Sequence, residues 1–149
     1  MFWNVSPAHA QTDVETVTFG DWERTCRAGA QCVLSQSNAD SGSGDIRMRT
    51  EISLPSHKQV LMSVVVPNSV ILTEGPWLTV DGIFVSELKF VNCQNGCLAR
   101  VLFTNPMFGL VTGGKRGIVT VSAGGQRIGL VLSMDGLAEG LQSISKPEE

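Results

Sequence analysis

The chain has 149 residues, of which 42% are hydrophobic and 17% charged, and its net charge is −3. That apolar content excludes disorder, and the length suits one domain with a core of ordinary size. The eleven Lys and Arg are scattered along the chain, which argues against nucleic acid, and no apolar run approaches the roughly 20 residues of a membrane-spanning helix.

Ala8-His9-Ala10 before Gln11 fits the small-x-small site of a signal peptidase, but Met1 to Pro7 lacks a basic start and a long apolar stretch. Residues 1–10 therefore read as a truncated signal-peptide remnant and 11–149 as a single β domain. Four cysteines, an even number in two close pairs, agree with export to an oxidising compartment. The expected location is the periplasm, the cell envelope or beyond, with no transmembrane segment and peripheral envelope association allowed.

The ordered domain starts with Val14 to Cys26, and Gln31 to Ser37 is a short strand. Asn38 to Gly44 is a polar Gly/Ser loop. In DIRMRTEISL, Ile46, Met48, Ile52 and Leu54 alternate with Arg47, Arg49, Glu51 and Ser53, the period of a half-buried strand. Pro55-Ser56-His57 breaks it. QVLMSVVV, Gln59 to Val66, is nearly all apolar and reads as a central strand covered on both faces. Pro67-Asn68 ends that strand.

Short strands follow at Val70 to Thr73 and Trp77 to Val80. Asp81-Gly82 predicts a two-residue hairpin turn with positive φ at both positions. Ile83 to Val91 reads as one strand, with Phe84, Leu88 and Phe90 on one face and Glu87 and Lys89 on the other. Leu98 to Thr104 is a strand broken by Asn105-Pro106. Gly117 to Ser122 and Gln126 to Ser133 flank a Gly-Gly turn. Finally, Leu137, Leu141 and Ile144 share one face of a short helix, with Asp135 as its N-cap. The sum is an all-β fold: an antiparallel β-sandwich or barrel-like sandwich of about nine strands with one short C-terminal helix. No strand–helix–strand alternation supports a doubly wound nucleotide fold.

Catalytic signals are missing or incomplete. Gly109 to Lys115, GLVTGGK, matches much of the phosphate-loop pattern, but Arg116 stands where Ser or Thr is required, and a strand follows instead of a helix. The plainer reading is a Gly-rich turn carrying two exposed cations, Lys115 and Arg116, suited to a weak anion contact. There is no Gly-x-Ser-x-Gly elbow. His9 lies in the leader and His57 in a turn. Tyr is absent altogether. Trp22 and Trp77 begin strands, where packing is the ordinary use of an indole.

The stretch NCQNGC, Asn92 to Cys97, admits three readings. A redox pair wants two intervening residues at a helix N-terminus, and here there are three between strands. A four-cysteine zinc site is poorly served by the five residues between Cys26 and Cys32. A structural clasp fits best. Gln94-Asn95-Gly96 makes a three-residue hairpin loop, and directly opposed residues sit about 4.5–5.5 Å apart, within reach of a disulfide. Sequence alone still permits three connectivities among four cysteines.

FGDW at 19–22 with Cys26 and CVLSQ at 32–36 resembles the opening of the invasion-associated locus B family of Gram-negative bacteria. LTEGPWLTVDG at 72–82, LKFVNCQNGCLA at 88–99 and LVLSMDGLAEGL at 130–141 resemble its later segments. The likeness covers roughly 14–145. The chain departs from the pattern at Pro67-Asn68-Ser69, where members often carry Pro-x-Gly. The resemblance implies an exported sandwich-like domain with two local disulfides, Cys26 with Cys32 and Cys93 with Cys97, and in pathogens a link to host-cell invasion. It implies no catalytic residues, cofactor or metal.

The expected role is non-enzymatic binding of an unidentified protein or envelope component. Gln94, Asn95, Gly96, Trp77, Lys115 and Arg116 are the candidate surface. The alternative is a periplasmic small-molecule or carbohydrate-binding module using Trp77 or Trp22 as a platform. A hydrolase or redox enzyme is the third reading.

Overall fold

A computed structural model of the chain describes residues 14–27, 31–39, 47–56, 59–67, 75–123 and 125–145. Its elements are β1 (Val14–Phe19), β2 (Trp22–Arg27), β3 (Val33–Ala39), β4 (Arg47–Ser56), β5 (Gln59–Val66), β6 (Trp77–Val80), β7 (Ile83–Glu87), β8 (Lys89–Cys93) and β9 (Cys97–Phe103). Helix α1 (Asn105–Thr112), strands β10 (Arg116–Ala123) and β11 (Gln126–Ser133), and helix α2 (Leu137–Ser145) complete the chain. A seven-stranded sheet runs β1-β2-β3-β4-β5-β9-β8, and a four-stranded sheet runs β11-β10-β6-β7. Pairing is antiparallel throughout, and the architecture is a sandwich rather than a closed barrel.

The two sheets share one core. Leu34, Ile52, Met62 and Val64 of the larger sheet face Leu78, Val119, Leu130 and Leu132 of the smaller, all nearly inaccessible to water. Burying such side chains contributes roughly 1.5–3 kcal/mol each. In α2, Leu137 and Leu141 are buried and Ile144 packs against the core, as the helical spacing predicts. The helix itself begins at Leu137, directly after Gly136 at φ 88°, so Asp135 lies one residue outside the expected cap position.

In β4 the alternation holds: Met48, Thr50 and Ile52 are buried while Arg47, Arg49 and Glu51 are exposed. The strand continues through Pro55 to Ser56, with a register shift after Ser53 that accommodates the proline. Ile46, His57 and the predicted strand at 70–73 lie outside the described residues. The Asp81-Gly82 turn is as expected, with φ 51° and 81° and Val80 opposite Ile83.

Four expectations are corrected. The described residues form eleven strands, not about nine, partly because Val14 to Cys26 is a hairpin turning at Gly20 (φ 57°). β5 is central but has one covered face: Met62, Val64 and Val66 are buried, while Val65 is 37% exposed. An apolar run cannot by itself reveal which face lacks a partner layer. Ile83 to Val91 is two strands in different sheets. The chain crosses at Leu88, which is buried and donates its N–H to Pro76 O at 2.8 Å. The phase therefore flips, so Val85 points inward and Phe84 is 58% exposed. Finally, the strand does end before Asn105-Pro106 as expected, but a second helix, α1, begins there where only a break was expected. The Thr104 hydroxyl accepts from Met107 N–H at 3.5 Å, Pro106 sits in the first turn, and Gly113 caps the C-terminus.

A polar seam joins the sheets along β3 and β11. The Gln36 side chain donates to Ser133 O at 3.1 Å and accepts from Ser133 N–H at 2.8 Å, as a neighbouring strand would. Asn38 donates to Val131 O at 2.8 Å, and the Trp22 indole N–H donates to Ser133 O at 2.9 Å. These side chains satisfy the edge of β11 without adding a strand.

Candidate functional site

The cysteines form two disulfides, Cys26–Cys32 and Cys93–Cys97, and no free thiol remains. Cys93 and Cys97 oppose one another across β8 and β9, their Cα atoms 4.0 Å apart. Gly96 closes the loop at φ 113°, and a Cβ there would meet a Val65 methyl at 2.8 Å. The glycine is thus required twice, by its backbone and by its neighbour. Gln94 and Asn95 at the tip are exposed.

The other predicted surface residues lie elsewhere. Trp77 starts β6, opposite Thr120, and is half-buried, with the Arg127 guanidinium 5.3 Å above its ring. Arg116 follows the opposite end of β6, where Gly117 pairs with Val80, about 10 Å further along the strand. Lys115 and Arg116 have exposed side chains. Their backbone N–H groups both donate to the Asp81 carboxylate, at 3.1 and 3.0 Å. The amides that would cradle a phosphate are therefore already taken. Trp22 is fully buried and offers no face to a ligand. The hairpin tip, Trp77 and the Lys115-Arg116 turn do not converge on one site.

A concavity of about 710 Å³ opens between α1, α2 and the adjoining ends of β4, β5 and β9. Buried Phe103 and Leu141 and half-buried Leu54 and Val60 line it, together with exposed Phe108 of α1 and Ala138 of α2. Its polar groups are Thr104, Asn105, Thr112 and Gln142; among the described residues no Asp, Glu, His, Cys, Lys or Arg lines it. Two of them serve the helix: Thr104 caps α1, and the Thr112 hydroxyl donates to Phe108 O at 2.9 Å. The volume and lining suit an apolar group held by packing, with uncharged hydrogen-bonding partners at the rim. Among the described lining residues, none is a group able to abstract or donate a proton near neutral pH. Among the described residues, no cluster of His, Cys, Asp or Glu could hold a metal ion.

Sequence reasoning missed this groove because it missed α1. Its signal was present in Thr104, Pro106 and Gly113, which together spell a capped helix rather than a strand break.

Fold and groove define a disulfide-pinned antiparallel β-sandwich with a groove whose described lining is mostly apolar and carries no charged side chain. The family model of the invasion associated locus B (IalB) protein matches residues 22–145, and the chain belongs to that family. The crystal structure of invasion associated protein b from Bartonella henselae aligns with a TM-score of 0.73 at 20% sequence identity. The alignment covers 87% of this chain and 95% of that one, which establishes a shared fold. No curated protein matches.

Proposed function

We propose that the protein is an exported, non-enzymatic binding domain of the cell envelope that holds an apolar segment of another macromolecule in the groove between α1 and α2. The observation that carries this reading is the groove's lining: among the described residues, aliphatic and aromatic side chains with Thr, Asn and Gln at the rim. Two disulfides in a chain of this size agree with maturation in an oxidising compartment, the periplasm or beyond. Membership of the invasion-associated family supports a contribution to host-cell invasion where the owner is a pathogen.

The test is affinity capture from envelope extract by the immobilised protein and by Ala138→Trp. Ala138 is exposed at the groove wall, so the indole blocks the cavity without disturbing the core. The wild type is expected to retain the same partner repeatedly and the variant to lose it. No reproducible partner, or equal retention by both, would refute the proposal.

A further inference from the structure

Folding gathers cations that the sequence scatters. The outer face of β4, β5, β9 and β8 carries Arg47, Arg49, Arg100 and Lys89, all exposed, in a chain whose net charge is −3. Glu51 lies among them and pairs with Arg49 at 3.3 Å. Lys89 and Arg100 stand directly opposite each other across β8 and β9. Neither makes an ion pair with any described residue, although Glu87 lies at the edge of the same depression. Directly opposed like charges destabilise a ladder, so the pair is a cost to folding that an external anion would remove.

Apolar side chains flank this pair on the same face. Register places Leu61 beside Leu102 two residues along one way, and Val65 beside Leu98 two residues the other way, each about 7 Å from the cation row. Leu102 is 49% exposed and Val65 37%. β5 and β9 are interior strands, and β8, which carries Lys89, ends the sheet, so a polypeptide strand would add beside β8 and not upon this face. A surface that presents phosphate anions above hydrocarbon requires no backbone pairing. It satisfies cations and aliphatic side chains together.

We propose that the outer face of β4–β5–β9–β8 docks on an anionic phospholipid bilayer, with Lys89 and Arg100 at the phosphates and Leu102 and Val65 at the acyl boundary. The face is separate from the groove and stands or falls independently of it.

Co-sedimentation with phosphatidylglycerol-containing vesicles tests the proposal. The wild type is expected to bind these, to ignore phosphatidylcholine vesicles, and to be released by salt. Each cation is worth about fivefold in partitioning, so Lys89→Gln/Arg100→Gln should weaken binding about twenty-five-fold. Leu102→Ser should weaken it further. Arg127→Gln on the other sheet and the groove variant Ala138→Trp should bind as the wild type. The double Gln variant relieves a repulsion, so its melting temperature is expected to be no lower than the wild type's, which separates lost binding from lost folding. Three results would overturn the proposal. One is no binding to phosphatidylglycerol vesicles. Another is equal binding by the double variant. The third is soluble polyglutamate displacing the vesicles at equal charge, which would assign the face to an acidic protein.

Discussion

Replacing Gln36 with leucine tests how the two sheets are held in register. Gln36 is 9% exposed, and its amide both donates to and accepts from the backbone of Ser133. Leucine keeps most of the volume but removes both bonds. Ser133 O retains the Trp22 indole, and the Asn38 amide retains Val131 O. Ser133 N–H is left without its side-chain acceptor at a site that water reaches poorly, a loss of roughly 1–3 kcal/mol. Taking about 2 kcal/mol, the melting temperature of a domain this size should fall by about 6 °C. Hydrogen exchange gives a local readout, since the Ser133 amide should lose protection while amides in the centre of β5 keep theirs. A fall under about 2 °C with unchanged Ser133 protection would refute the seam as a structural joint.

Other substitutions probe separate features. Cys93→Ala/Cys97→Ala should cost about 2 kcal/mol, because a five-residue loop constrains the unfolded chain little, and urea titration measures it as a shift of the midpoint. Gly136→Ala should cost more than about 2 kcal/mol: its φ is 88°, and an added Cβ would lie 2.0 Å from Phe19 O, so the same titration should show the larger loss. Thr104→Ala removes the cap of α1 and should cost about 1 kcal/mol, with faster exchange at the Met107 amide.

Strand identity was legible wherever one face met solvent, as in β4, because alternation records the boundary between core and water. The Asp81-Gly82 hairpin and the Gly96 loop were legible because positive φ leaves a mark on residue choice. Leu88 shows the limit. A chain that changes sheets keeps its apolar content but loses its phase, and no local pattern announces the crossing. The seam was hidden for a similar reason, since Gln36 and Ser133 are 97 residues apart and only the fold brings them together. The groove was half legible. The caps of α1 were readable, but its meeting with α2 depends on where the sheets place their ends. The cationic face is also a product of register, with Lys89 and Arg100 on adjacent strands and Arg47 and Arg49 two or three strands away.

The central claim is that the groove between α1 and α2 receives another envelope macromolecule. In-cell photo-crosslinking tests it most directly, with a photoreactive residue in place of Phe108 at the groove wall and, separately, in place of Glu15 on the edge strand β1. The account predicts a discrete adduct from position 108 that is absent from position 15 and disappears when Ala138→Trp is added. Adducts that are identical at both positions, or that survive the blocked groove, would contradict it.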